Sequence, residues 1–89
     1  MSGGPEPLIV YPTHYTFKAM GLAGPGLKAR ILGHVSAVLG PLDESALTVR
    51  PSSAGKYESV SVHVYLKSED ERRRIYEAFH GDKSIVWYV

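Results

Sequence analysis

The 89-residue sequence contains no cysteine, no asparagine and no glutamine. The absence of cysteine excludes disulfides, thiolate nucleophiles and every zinc or iron–sulfur site that needs a cysteine ligand. The absence of asparagine and glutamine excludes any site in which a side-chain carboxamide holds an oxyanion or reads adenine through a bidentate pair. Several classes of enzyme and of DNA-reading protein are therefore excluded by what is missing.

A charge surplus and a long apolar run are also absent. Ten basic and nine acidic residues give a formal net charge of +1, which is not typical of proteins that bind nucleic acid or anionic membranes. No apolar run approaches the ~20 residues of a membrane span, and Met1–Pro5 has neither the charged nor the apolar part of a signal peptide. We therefore expect a cytoplasmic protein with no membrane partner, and the charge does not favour a nucleic-acid partner.

Two segments, 14–20 and 57–66, alternate between apolar and polar residues with a period of two, which predicts half-buried strands. The inward sets are Tyr15, Phe17 and Ala19 in the first segment, and Val60, Val62, Val64 and Leu66 in the second. The residues that alternate with them, and that should face the other side of the sheet, are His14, Thr16, Lys18 and Met20 in the first segment, and Ser59, Ser61, His63 and Tyr65 in the second.

Two further segments have helical spacing. In the first, the apolar residues from Leu27 onward recur every three or four positions, Pro25 suits the first turn, and Gly40 marks the end. The second begins with a capping box at residues 68–71. Gly33 lies inside the first helix, where glycine costs about 1 kcal/mol relative to alanine. It admits two interpretations, a close approach of neighbouring backbone or neutral drift.

Two short strands, 46–50 with Leu47 and Val49 inward, and 84–89, complete the pattern. Short, unknotted and right-handed connections then predict an α+β fold, a ferredoxin-like βαββαβ two-layer sandwich. Its four-stranded antiparallel sheet has the first and third strands at the centre and both helices on one face. We expect residues 13–89 to form this single domain and residues 1–12, rich in proline and glycine, to form a flexible N-terminal tail.

The hairpin segment, residues 49–62, and the block at residues 11–21 resemble the signature of the YbeD family of small bacterial proteins. The two blocks set the register of nearly the whole chain, from residue 11 to residue 89. The resemblance implies the ferredoxin-like fold, and the family has no assigned biochemical activity.

The turn at residues 24–27, Gly-Pro-Gly-Leu, looks like the Pro-Gly-Leu turn of ACT domains, which are small regulatory modules of the same topology. In that family the turn lies beside a bound amino acid, at an interface between two copies. The resemblance makes Gly24, Gly26 and Leu27 candidate ligand-binding residues, since glycine admits close approach and helix amides favour a carboxylate. The acidic residue that usually precedes this turn is absent, and an ordinary strand-to-helix turn explains the same residues.

The hairpin loop is a second candidate binding site. Ser52, Ser53 and Lys56 supply two hydroxyls and one cation that could meet a phosphate or a carboxylate. Hairpin chemistry alone explains the same residues, and the loop is not a Walker loop because no strand leads directly through it into a helix. The four histidines lack ligand spacing and nearby carboxylates, so no metal site is expected.

The open face of the predicted sheet is the third candidate binding site. It should hold His63 at its centre, with Lys18 on the neighbouring strand and with Arg50 and Tyr65 on the same face. RNA-recognition motifs share this order of elements and stack bases on aromatic side chains of the central strands. A single aromatic residue, near-neutral charge and the missing carboxamides argue against RNA, which remains the alternative function.

No nucleophile, base and orienting group can be assembled from these residues, so no catalytic residue and no cofactor are expected. We expect instead a non-enzymatic regulatory or adaptor module that binds a small carboxylate-bearing metabolite, a partner protein, or both.

The last strand is apolar on both faces and has none of the charges that protect an exposed sheet edge. Strict alternation would give it two apolar sets, Ile85/Trp87/Val89 and Val86/Tyr88, of which the helices can cover only one. Formation of a homodimer and coverage by residues 8–10 are two ways to bury the other set, and the sequence leaves both open.

Overall fold

The computed structural model describes residues 9–89. The elements are β1 (Thr13–Leu22), α1 (Pro25–Leu39), a 3-10 turn (Glu44–Ala46), β2 (Leu47–Pro51), β3 (Tyr57–Leu66), α2 (Glu69–His80) and β4 (Ile85–Tyr88). Most of the predicted tail, residues 1–8, lies outside the described residues. At its end, the Tyr11 hydroxyl donates a hydrogen bond to Glu69 Oε1 at 2.5 Å, so this part of the tail contacts α2.

The sheet is antiparallel, with the strand order β2-β3-β1-β4. β1 and β3 lie at its centre and pair along all ten residues, with Phe17 opposite Val62. The two helices pack on one face, and the predicted ferredoxin-like sandwich is confirmed. Within residues 9–89, neither helix is long and apolar enough to cross a membrane.

The core lies between this face and the helices. The predicted inward residues of β1 and β3 belong to it, except that Tyr15 is only partly buried. The buried apolar residues are Phe17, Ala19, Leu27, Ile31, Val35, Val60, Val62, Val64, Leu66, Ile75, Phe79 and Ile85.

The helix boundaries follow from local chemistry. α1 begins at Pro25 and ends before Gly40, whose N–H donates to the Ser36 carbonyl at 2.8 Å and whose positive φ of 93° then turns the chain out of the helix. At the start of α2, the Ser68 hydroxyl accepts a hydrogen bond from the Glu71 N–H at 3.2 Å. The Glu71 carboxylate accepts from the Lys67 N–H at 2.8 Å, one residue earlier than the predicted capping box requires.

β4 does not alternate as expected, because its pairing with β1 shifts register between Met20 and Gly21. Gly21 pairs with Ile85, whereas Met20 pairs with Trp87. The irregularity leaves Ile85 on the helix side and turns Trp87 onto the open face beside Met20. Tyr88 then returns to the helix side, where its ring contacts the aromatic cluster of α2. The predicted division into two alternating apolar sets is therefore wrong.

The structure refines three smaller expectations. β1 is longer than the predicted segment 14–20, since Gly21 and Leu22 continue the strand. Val49 pairs with Val60 on the helix side but is 36% exposed, because it lies on an edge strand that pairs only with β3. No atom lies within 4 Å of a Cβ added at Gly33, so no neighbouring backbone approaches there.

Candidate functional site

The open face of the sheet, on the side away from the helices, brings together polar side chains from three strands. The register determines the set, because Lys18 pairs with Ser61, and Ser61 pairs with Thr48. Trp87 of β4 adds an aromatic ring at one end. The residues of this face include His14, Thr16, Lys18, Met20, Thr48, Arg50, Ser59, Ser61, His63, Tyr65 and Trp87. No acidic residue is among them.

Two cations of this face border a hollow of about 350 Å³, which we call the cationic hollow. Lys18 on β1 and Arg50 on β2 flank β3, which places Ser59 and Ser61 between them. Among the described residues, no carboxylate lies within 4 Å of either cation. The lining residues are Lys18, Thr48, Arg50, Ser59, Ser61 and His63.

The Ser59 hydroxyl gives the cationic hollow an unused hydrogen-bonding group. Its oxygen is shielded from solvent and has no hydrogen-bond partner in the described part of the chain. A shielded polar group without a partner costs about 1–3 kcal/mol. A ligand that exchanged a hydrogen bond with Ser59 would recover part of that cost, and the unpaired positive charges of Lys18 and Arg50 favour an anionic ligand.

His63 lies at the centre of the face, as predicted. Its Nδ1 lies 3.0 Å from the Thr16 hydroxyl and its Nε2 lies 3.4 Å from the Thr48 hydroxyl, so both neighbouring strands orient the ring. On the other side of His63 is a wider hollow of about 610 Å³, which we call the aromatic hollow. Tyr65 is 51% exposed there and packs on the His14 ring, with 5.0 Å between the ring centroids.

The glycine turn forms a separate groove of about 270 Å³ beside β4. Gly24, Gly26 and Leu27 line it, as the ACT resemblance implies, and a Cβ at either glycine would meet nothing within 4 Å. Arg30 also lines the groove, but its guanidinium is bound to Asp82 through two 3.1 Å hydrogen bonds. Binding of a carboxylate in this groove stays a prediction. The other lining residues are Leu22, Lys83, Ser84 and Val86.

The hairpin loop has local contacts that explain most of its candidate residues. The Ser52 hydroxyl accepts a hydrogen bond from the Tyr57 N–H at 3.1 Å, which closes the hairpin. The Lys56 ammonium lies 5.5 Å from the centroid of the Tyr57 ring, and the Lys56 carbonyl accepts from the Ala23 N–H at 2.9 Å. Ser53 is exposed. These candidates do not line the glycine groove or the cationic hollow, and a binding role for them stays a prediction.

Sequence reasoning missed a buried carboxylate, Asp82, whose side chain is 2% exposed. Besides Arg30, it accepts two hydrogen bonds from Ser84, through the N–H at 2.9 Å and the hydroxyl at 2.6 Å. His34 Nε2 lies 2.6 Å from its Oδ2. Burial alone would raise the pKa of Asp82, but the hydrogen bonds from Arg30, His34 and Ser84 outweigh it and hold the pKa well below its ordinary value.

This cluster contains the residue types of a catalytic triad but not their arrangement. Ser84 donates its hydroxyl proton to Asp82, and among the described hydrogen bonds none joins Ser84 to His34. The serine therefore lacks the neighbouring base that a nucleophile needs. In residues 9–89, no three histidine, aspartate or glutamate side chains form a group that could hold a metal ion.

Comparisons with known proteins identify relatives along nearly the whole chain. Residues 6–89 match the model of a family described as a protein of unknown function, DUF493. A UPF0250 protein of Idiomarina loihiensis is 36% identical over 94% of this chain and 92% of its own length. A UPF0250 protein of Erwinia tasmaniensis is 37% identical over 92% of this chain and 91% of its own.

Among solved structures, the solution structure of protein HP0495 from H. pylori superimposes with a TM-score of 0.74. The superposition covers 100% of this chain and 98% of the HP0495 chain, at 17% sequence identity. The superposition supports the fold alone.

Proposed function

This chain belongs to the DUF493, or UPF0250, family of small bacterial proteins, the YbeD family that its sequence resembles, and we propose that it is a non-catalytic binding module for a small anionic ligand. The ligand bears a carboxylate or a phosphate and binds in the cationic hollow. The observation that carries this proposal is that Lys18 and Arg50 line one hollow with the shielded Ser59 hydroxyl, which has no hydrogen-bond partner in the described part of the chain.

Two features support the cationic hollow over the glycine groove as the anion site. The guanidinium of Arg30 in the groove is already bound to Asp82, whereas Lys18 and Arg50 have no carboxylate partner among the described residues. The hollow also offers hydroxyl groups on β2 and β3, while the Ser84 hydroxyl of the groove donates to Asp82 and leaves Lys83 as the cation there without a described carboxylate partner. Anion recognition needs positive charge together with hydrogen-bonding groups.

Removing either cation is expected to weaken anion binding about 10- to 100-fold, the range for one charge-assisted hydrogen bond. The variants are Lys18→Met and Arg50→Met, titrated with pyrophosphate and with citrate by isothermal calorimetry at low ionic strength. Both side chains are exposed, so the variants should keep the stability of the parent. Added salt should weaken binding to the parent protein, because exposed charges are screened.

Two lysine variants serve as matched controls for net charge. Lys67→Met removes one exposed charge far from the hollow and should leave the affinity unchanged. Lys83→Met removes a cation of the glycine groove. A loss of affinity in Lys83→Met, with Lys18→Met unaffected, would place the ligand at the glycine turn. Absence of binding to the parent at millimolar anion would reject the proposal.

Self-association remains a prediction, and β4 is the surface that we expect to mediate it. Val86, Trp87 and Val89 are 58%, 46% and 52% exposed at the sheet edge. Antiparallel pairing of two copies of this uncharged strand would cover them. We expect a dimer in sedimentation at tens of micromolar protein and a monomer for Trp87→Lys. If the parent is monomeric and dimerises only after removal of residues 1–10, the tail rather than a second copy would be identified as the segment that covers β4.

A further inference from the structure

The open face extends beyond the cationic hollow, and we propose that its ligand is of nucleotide type, with the phosphates at Lys18 and Arg50 and the base in the aromatic hollow, on Tyr65. This inference rests on the proposed function, because it takes the cationic hollow as the phosphate site. It adds a second recognition element and names the chemical class of the ligand.

The two hollows lie next to each other on the sheet and share His63, and we call the pair the trough. His63 lines both of them, and the Thr16 and Thr48 hydroxyls hold its ring in place between them. Ser61, opposite Lys18, and Tyr65 lie on the same strand and face, four residues and therefore ~13 Å apart. A nucleoside polyphosphate has the extended shape that such a trough requires.

The aromatic end of the trough suits a flat ring. Tyr65 is about half exposed, and contact with the His14 ring restrains it. A restrained, exposed aromatic side chain stacks on a base without demanding a particular sequence, because every base has a π-face. Among residues 9–89, the strands contribute no acidic side chain to the open face that would repel the phosphates.

Trp87 provides a signal for binding on this face. The register shift in β4 places it beside Met20, one strand away from Lys18. It is a second exposed aromatic side chain of the face and lies at the end opposite Tyr65. Trp87 is the protein's single tryptophan and is 46% exposed, so its fluorescence can report ligand binding on this face.

The experiment compares three probes by Trp87 fluorescence and calorimetry, in the absence of divalent cations. ATP has both phosphates and a base, and tripolyphosphate has the phosphates alone. A single-stranded RNA of six nucleotides has phosphates and bases in a polymer. We expect ATP or the RNA to bind about 10-fold more tightly than tripolyphosphate. If ATP binds more tightly than the RNA, the natural ligand is a free nucleotide. If the RNA binds more tightly than ATP, the natural ligand is single-stranded RNA.

Variants at Tyr65 separate the two recognition elements. Tyr65→Ala should remove the advantage of the base-containing probes and leave tripolyphosphate binding unchanged, while Tyr65→Phe, which keeps the ring, should retain that advantage. Lys18→Met should weaken binding of all three probes. Equal affinities for ATP, RNA and tripolyphosphate, or no effect of Tyr65→Ala, would overturn the nucleotide inference and leave the anion site standing. Failure of all three probes to bind would overturn both.

Discussion

Replacing Asp82 by alanine is expected to lower the free energy of unfolding by about 2–4 kcal/mol, the range for removing one partner from a buried, hydrogen-bonded charge cluster. The Asp82 carboxylate joins α1 to the turn before β4 through Arg30, His34 and Ser84. Alanine would release all three side chains and the Ser84 N–H at once. Urea unfolding followed by circular dichroism measures the difference.

Asp70→Ala is the matched control, because Asp70 also pairs with an arginine but is 55% exposed. Exposed ion pairs contribute little to stability. The free energy of unfolding of Asp70→Ala should therefore fall by only a fraction of the decrease in Asp82→Ala. Equal losses in the two variants would contradict the structural role assigned to Asp82.

The depressed pKa of Asp82 also predicts how this stabilisation depends on pH. A carboxyl whose pKa is lower in the folded state stabilises the fold at pH values above its unfolded pKa of about 4. The contribution declines as the pH falls below that value towards the folded pKa. The difference in stability between the parent and Asp82→Ala should therefore shrink on acidification below about pH 4. A difference that grew in acid would contradict the assignment.

Replacing Gly21 by alanine is expected to cost about 3 kcal/mol, because the new methyl group has no room. A Cβ at this position would overlap the backbone carbonyl oxygen of Ser84 and would lie 2.9 Å from Leu27 Cδ1. Gly21 lies at the register shift between β1 and β4, opposite Ile85. The variant must displace the start of β4, and chemical denaturation should report the loss.

Gly33→Ala is the matched control, and its effect should have the opposite sign. The position lies inside α1, and no atom is within 4 Å of an added Cβ. Alanine should stabilise the helix by up to about 1 kcal/mol. Destabilisation by Gly33→Ala, together with a neutral Gly21→Ala, would show that the packing around both glycines is misassigned.

The two central strands were predictable because they are long and half buried. When apolar and polar residues alternate over ten positions, only one register puts the valines of β3 in the core. The location of Lys18 and His63 on the open face therefore followed from this alternation alone. β4 is only four residues long, and its register depends on the close contact of Gly21 with Ser84 rather than on its own pattern. Periodicity could therefore not place Trp87.

The candidate site was predictable in part for the same reason. Lys18, Arg50, His63 and Tyr65 share one face as expected, but the unpartnered state of the Ser59 hydroxyl depends on side-chain packing. Asp82 carries no sequence signal, because an aspartate after a helix-ending glycine is ordinary turn chemistry. Its burial results from the approach of α1, which is a tertiary contact.

The central claim, an anion site on the open face of the sheet, is tested most directly by amide chemical-shift mapping of the isotope-labelled protein during titration with pyrophosphate. Saturable shifts are expected, centred on Lys18, Arg50, Ser59 and Ser61, which line the cationic hollow. The amides of residues 24–27 should remain unperturbed. Shifts centred on residues 24–27, or a spectrum unchanged at millimolar pyrophosphate, would contradict it.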